Sequence, residues 1–308
     1  LHSPVNANAP SSSKARTFLR RLFSFVVLWT VVLGALFSGN PFVSEALFLV
    51  VITALAGLGL WEFYGLAERR GLACFKCWGV LGGVALMVGT FLHLQGLLGI
   101  WDSPARVNDF ETIFLIGFVL GLCVRQFAAP GQASGFTAVS MTLFGLLYVP
   151  WLLNFVQKIN YFPTLTDGGT LYLLYFIVVT KCSDIGAYLV GSLLGRHKMV
   201  PRVSPNKTWE GLAGALVLST LVSLGFAHWA GAGRLVGMDG RHAVILGVLL
   251  GGAAVIGDLV ESLFKREAGV KDSGRLFPGI GGILDLLDSL LFNAPIMYLY
   301  LRHVLTRG

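Results

Sequence analysis

Long apolar runs, separated by short polar punctuation, repeat from one end of the chain to the other. At the roughly 20 residues an α-helix needs to cross a hydrocarbon layer, they predict spans at about 19–37, 44–62, 79–100, 110–124, 136–156, 170–191, 210–231, 242–261 and 283–303. The fourth is short and reads as a tilted or partial crossing. No period-two alternation of the kind a transmembrane barrel requires accompanies them. The expected fold is therefore all-α, a polytopic integral membrane helical bundle of about nine transmembrane helices. It divides into a basic tail at 1–18, N-terminal transmembrane helices at 19–169 and a C-terminal transmembrane domain at 170–308 that carries the chemistry.

Composition agrees. The chain is 55% hydrophobic and 13% charged, against roughly 25% charged in soluble domains, and its mean hydropathy is +0.74. The net charge of +7 is a topology signal, because no soluble basic segment exists to grip nucleic acid and none is expected as a partner. Of the 23 Lys and Arg residues, Arg106, Lys158, Arg234, Arg241, Arg302 and Arg307 fall on one side of the expected spans. The others fall on the opposite side, among them Lys14, Arg16, Arg20, Arg21, Arg69, Arg70, Lys76, Arg125, Lys181, Arg196, Lys198 and Arg202. Cytoplasmic loops hold such an excess, so the N-terminus is expected inside and the C-terminus outside. The first apolar run follows basic residues as a signal peptide would, but the many later spans favour an uncleaved anchor.

Two compositional features read as structural. Cys74 and Cys77 form a lone CFKC, and a zinc site needs two further ligands that no nearby His or Cys supplies. The 39 glycines, with small-residue spacing at Gly191 and Gly195 and again at Gly247 and Gly251, fit close helix packing. Gly281 and Gly282 differ, since they sit in a polar turn before a helix, where backbone N–H groups can face a phosphate.

Polar chemistry concentrates in two stretches on the side expected to be cytoplasmic. The first, Lys181 to Gly214, is basic and punctuated by Pro201 and Pro205; Ser204 to Glu210 reads as a helix start, with Lys207 and Thr208 suited to a polyphosphate. The second, Ser262 to Asp288, packs Lys265, Arg266, Lys271 and Arg275 with Glu267, Asp272, Asp285 and Asp288 between two apolar runs. Ionisable groups at a hydrocarbon edge are costly and mark function. Asp258, Glu261 and Ser262 share a helical face, as do Asp285 and Asp288. Carboxylates converging from two helices form an oxygen-only set that suits Mg²⁺. A salt-bridge network with Lys265, Arg266 or Lys271 is the structural alternative.

These residues resemble the phosphatidate cytidylyltransferases, the CDP-diacylglycerol synthases. Ser262, Phe264, Lys265, Arg266, Lys271, Asp272, Gly274, Phe277, Pro278, Gly281, Gly282, Asp285 and Asp288 stand where that family's signature places them. Upstream, Asp184, Ala187 and Tyr188 and the run Ser204 to Gly211 resemble it too, so the likeness covers about 170–303. Ile280 replaces the usual His, and Leu286 the usual Arg. Ile cannot carry a proton and Leu cannot pair a phosphate.

The resemblance implies transfer of CMP from CTP to phosphatidic acid, giving CDP-diacylglycerol and pyrophosphate in phospholipid biosynthesis. It implies Mg²⁺ on Asp258, Asp285 and Asp288, as one ion or two, with a monovalent cation compatible. The catalytic group is expected to be Lys265, Arg266, Lys271, Asp272 and Asp285, and the substrate-binding group Ser204, Lys207, Thr208, Ser262, Gly281 and Gly282. Membrane lipid and CTP are the expected partners, a homodimer is compatible, and a bacterial inner membrane with the site on its cytoplasmic face is the expected location. A CTP-dependent polyprenol-type lipid kinase, a cation-coupled transporter and a weakly active relative are the competing readings.

Overall fold

The computed structural model describes residues 26–27, 29–34, 36–96, 104–128, 135–162, 165, 168–231, 233–274 and 281–306. The tail at 1–18, the start of the span expected at 19–37, and Arg275, Phe277, Pro278 and Ile280 lie outside them. Within the first expected span the described residues 26–27, 29–34 and 36–37 are helical.

Among the described residues, eight helices are long and apolar enough to cross a membrane, and they coincide with the second to ninth expected spans. They are α1 (Pro41–Arg69), α2 (Lys76–Leu94), α3 (Pro104–Phe127), α4 (Gly135–Asn160), α5 (Gly168–Leu194), α6 (Trp209–Ala230), α7 (Gly240–Glu267) and α8 (Ile283–Leu305). The protein is a helical bundle integral to the membrane. α1 and α7 have 29 and 28 residues, about 40 Å each, against a hydrocarbon core of about 30 Å. Their polar ends therefore project past it.

Local sequence sets several ends. Asn40 caps α1, its side chain accepting from Phe42 N–H at 3.1 Å, with Pro41 in the first turn where no N–H is missed. Asp239 caps α7 through His242 N–H at 2.8 Å, and that bond holds its carboxyl below the usual range. Inside α4, Pro150 removes an amide donor and the helix widens into a π-turn over Leu147–Trp151.

Three expectations change. The fourth span is a full helix of 24 residues rather than a short one, because Glu111, which breaks its apolar run, is neutralised inside the bundle. The helix expected to start in Ser204–Glu210 begins only at the end of that stretch, with Glu210 in its first turn. Lys198–Val200 (β1) and Ser204–Thr208 (β2) pair antiparallel as a small hairpin, Lys198 opposite Thr208, and the helix begins at Trp209. Pro205 disfavours helix at Ser204, so Thr208 becomes the cap, accepting from Gly211 N–H at 3.1 Å. Glu210 turns back to the Arg196 and His197 amides, each at 3.2 Å. Lys181 and Lys158, counted as loop charges, both lie inside helices.

α5, α6 and α7 pack most intimately, and glycine is the reason. A Cβ on Gly186 would lie 2.5 Å from Gly214 O, and one on Gly247 would lie 2.5 Å from Thr220 Cα. Close backbones allow short hydrogen bonds across helices, from Ser219 Oγ to Gly247 O at 2.7 Å and from Ser223 Oγ to Ala243 O at 2.5 Å. Asn293 of α8 reaches Thr180 Oγ1 of α5 at 2.9 Å and Leu250 O of α7 at 3.0 Å. The core around Leu60, Tyr64, Tyr172, Phe176, Leu284 and Leu291 runs through helices of both halves of the chain.

The CFKC pair stays apart from any cluster of ligands among the described residues. Burial pushes the Cys74 thiol up to about 11, with Glu68 adding to the effect, so it is a protonated thiol and a weak ligand.

Far along the chain from both polar stretches, Lys158 of α4 meets Glu111 of α3 at 2.6 Å, with side chains only 4% and 8% exposed. Asn154 extends the network to Glu111 at 2.5 Å and to Thr90 at 2.9 Å. Removing one partner strands the other charge in an apolar interior. Lys158→Met is expected to destabilise the protein by about 3–5 kcal/mol, and adding Glu111→Met to recover most of that loss. Thermal unfolding of both variants in detergent checks this.

Candidate active site

The functional groups collect where α5, α7 and α8 meet the hairpin and α1. On α7, Asp258, Glu261, Ser262 and Lys265 follow one another at helical spacing. Across from them, α8 presents Asp285, Asp288 and Ser289. The sequence brings the two faces together through the turn before α8. Gly281 takes φ +117°, a conformation side chains rarely adopt, and a Cβ there would meet Asp285 Oδ2 at 2.6 Å.

One carboxylate oxygen each from Asp258, Glu261 and Asp288 lies within 4.8 Å of the other two. Of the three acids expected as metal ligands, two are in this group. The third, Asp285, sits beside it in a different role. Its Oδ1 meets Lys265 Nζ at 2.6 Å, and its Oδ2 accepts from Gly282 N–H at 2.7 Å, Ser273 N–H at 3.0 Å and Ser273 Oγ at 2.9 Å. The Gly282 bond is one half of a capping box; glycine has no side chain to supply the other. The N–H of Gly282, expected to face a phosphate, points at Asp285.

Lysines interleave with the acids. Lys265 bridges Glu261 at 2.5 Å and Asp285 at 2.6 Å, joining α7 to α8. Lys207, from β2, meets Asp258 at 2.7 Å and donates to Val255 O at 3.1 Å. Lys181, from α5, donates to Leu286 O and Ser289 Oγ at 3.0 Å each and lies 3.4 Å from Asp184. Ser289 Oγ reaches Asp184 at 3.1 Å.

The other expected residues are less central. Ser262 donates to Asp258 at 3.3 Å. Arg266 turns outward to Val203 O at 3.1 Å, tying α7 to the hairpin turn. Lys271 and Asp272 are exposed in the segment before Ser273. Ser204, Lys207 and Thr208 line a cavity of ≈ 250 Å³ with Asn206, Tyr188, Asp184 and Asp258. A second cavity, ≈ 340 Å³, is walled by apolar residues of α1, α4, α5 and α8 and ends on Lys181, Asp184 and Asp285. Asp184 lines both.

Three members of the site escaped the sequence assignment. Glu62 of α1 accepts from Ser273 Oγ and Leu284 N–H, each at 2.9 Å, and so holds the turn that holds Asp285. An acid at the end of an apolar run was its signal. Glu261 shared a face with Asp258, but its convergence with Asp288 needed the helix pairing. Ser289 carried no signal beyond following Asp288.

The donor set fits a hard divalent cation. It is all oxygen, and acids outnumber lysines at the junction. Glu261 is fully buried; Lys265 meets its Oε2, while its Oε1 has no donor among the described residues. A buried carboxylate left in that state is what a bound cation satisfies.

The model of the cytidylyltransferase family matches residues 19–304. An uncharacterised Escherichia coli K12 protein, YnbB, is 40% identical over 300 residues, covering 83% of this chain and 95% of that protein. The phosphatidate cytidylyltransferase of Haemophilus influenzae is 31% identical over 284 residues, 90% of this chain and 96% of that one. That of Staphylococcus haemolyticus is 36% identical over 245 residues, covering 72% and 92%.

Glu62→Ala leaves the Leu284 amide without its acceptor, at about 1–3 kcal/mol, and frees the Ser273 hydroxyl from α1 while it keeps Asp285. Faster hydrogen exchange in peptides covering Ser273 and Gly282–Leu284, with α6 unchanged, is the expected result.

Proposed function

The chain belongs to the cytidylyltransferase family, and from that premise we propose that it transfers CMP from CTP to phosphatidic acid, releasing pyrophosphate and leaving CDP-diacylglycerol. One observation carries this reading: a cavity carrying Ser204, Asn206, Lys207, Thr208 and Asp258 and a far more apolar cavity share Asp184 beside the carboxylate group. A water-soluble nucleotide and a membrane lipid need such neighbouring compartments. The names of the Haemophilus and Staphylococcus relatives supply the substrate pair.

In the reaction an oxygen of the lipid phosphate bonds to the α-phosphorus of CTP. The bond from that phosphorus to the bridging oxygen breaks, and its electron pair leaves with pyrophosphate. Lys207, flanked by Ser204 and Thr208 in the ≈ 250 Å³ cavity, holds the nucleotide's phosphates there. Asp285 fixes Lys265 at the junction of α7 and α8, where its charge offsets the negative charge that builds on the leaving group. No general base is required, because a phosphate nucleophile is already largely ionised near neutral pH. Positioning and charge neutralisation carry the rate.

Asp258, Glu261 and Asp288 would hold Mg²⁺. Bound there, the ion supplies Lewis-acid charge for the triphosphate. The excess of Lys and Arg on the side of the hairpin and the α7–α8 turn supports a cytoplasmic orientation of the site in a bacterial inner membrane, where CTP is available.

Label from the α-phosphate of CTP is expected in a chloroform-soluble product, dependent on Mg²⁺ and on phosphatidic acid. Its absence with folded, purified protein overturns the proposal, and transfer of the γ-label instead identifies a lipid kinase. Asp288→Asn and Asp258→Asn are expected to lower kcat by about 10²–10³ while leaving the thermal midpoint without Mg²⁺ no lower than that of the unsubstituted protein.

A further inference from the structure

The ≈ 340 Å³ cavity falls in the range of about 300–1,000 Å³ typical of small-molecule sites. Val32, Phe48, Ile52, Leu173, Phe176 and Leu290 are among its walls, drawn from the N-terminal helical segment, α1, α5 and α8. Three ionisable residues line it, Lys181, Asp184 and Asp285, and among the described residues Lys181 is its only cation. Asp285 is engaged by Lys265 and by the Ser273 and Gly282 amides, and Asp184 by Ser289, which leaves Lys181 as the group that offers charge, at the end of an apolar chamber, to an amphiphile with an anionic head.

Lys181 is also an unusual residue for its place. It lies in the middle of α5, where a charge is costly, and its one carboxylate partner, Asp184, is a loose 3.4 Å away. Its nitrogen rests 3.0 Å from the carbonyl of Leu286. Position 286 is where the resembling signature carries Arg and this chain carries Leu. Leu286 and Lys181 line the same cavity, so α5 supplies a cation to the chamber that position 286 borders. Lys207 and Lys265, by contrast, are held at 2.5–2.7 Å by the acids of the junction.

Resting on the reading of the site as a phosphatidate cytidylyltransferase, we infer that Lys181 binds the phosphate of the lipid substrate while an acyl chain occupies the apolar cavity. Lys181 takes over, from another helix, the part of a cation at position 286. A lipid without a phosphate gains nothing from Lys181, so this lysine selects phosphatidic acid over diacylglycerol.

Lys181→Gln removes the charge while keeping an uncharged donor, one methylene shorter, on the same face of α5. It is expected to raise KM for phosphatidic acid by about tenfold or more, with KM for CTP within about twofold of the original. Adding Leu286→Arg is expected to restore most of the loss, which a merely structural role for Lys181 does not explain. An unchanged lipid KM in Lys181→Gln, or a matching rise in the CTP KM, overturns the inference. Ligand-induced thermal stabilisation in detergent, measured without CTP, separates this inference from the proposed activity. Short-chain phosphatidic acid is expected to stabilise the original protein more than the matching diacylglycerol, and Lys181→Gln to erase that difference. If no CMP transfer occurs yet this difference is seen, the proposed activity fails and the lipid site stands. Equal stabilisation by both lipids marks a general lipid cavity and overturns the role of Lys181.

Discussion

Carboxylates stay ionised among apolar helices only beside compensating charge, and the Lys265 ammonium between Glu261 and Asp285 provides it at the joint of α7 and α8. The rest of the site is arranged around that joint. Asp285, fixed by Lys265, also gathers the amides of Ser273 and Gly282, so the turn before α8 is shaped by the same carboxylate that holds the lysine. Glu62 supports the turn from α1. Asp258, Glu261 and Asp288 face one another beside the joint, three acids against the two cations Lys207 and Lys265. The acids' mutual repulsion in a medium of low dielectric is a standing demand for a cation.

The bundle itself was legible because spans are long-period signals. A run of apolar residues near the required length survives errors of several residues at either end, and the small-residue spacing at Gly247 and Gly251 translated directly into close packing of α6 on α7. The expectation of helix at Ser204–Thr208 failed for the opposite reason. Ser204 to Thr208 is too short for periodicity to speak, and cap residues such as Ser and Thr look the same before a helix and in a strand that leads into one. α3 was underestimated because Glu111 looks like an end signal when its partner Lys158 is invisible. Local sequence contains the cost of a buried charge, and distant sequence contains its compensation.

The site was legible by residue type and less so by role. Two of the three expected ligands converge, and Asp285 instead turned out to orient Lys265, a distinction set by which helix face meets which neighbour. Glu62 and Lys181 each lie on helices whose apolar sequence hides them, yet both reach the junction. The replacement at Leu286 shows why position-by-position comparison has limits. A charge absent from position 286 does not leave its surroundings without one, since Lys181 of another helix lines the same cavity as Leu286.

The Glu111–Lys158 pair has a consequence for how the chain enters the bilayer. Helices are made in order, so α3 arrives with its carboxylate before α4 exists to neutralise it. An unpaired acid inside a span disfavours insertion, a penalty that α3 meets through its apolar remainder until α4 emerges. When Lys158 arrives, the two cancel each other's cost only in the one lateral arrangement that brings them to 2.6 Å. The pair therefore favours one lateral partnering of α3 with α4 over others, and both helices precede in the chain the α5 to α8 that build the reactive end.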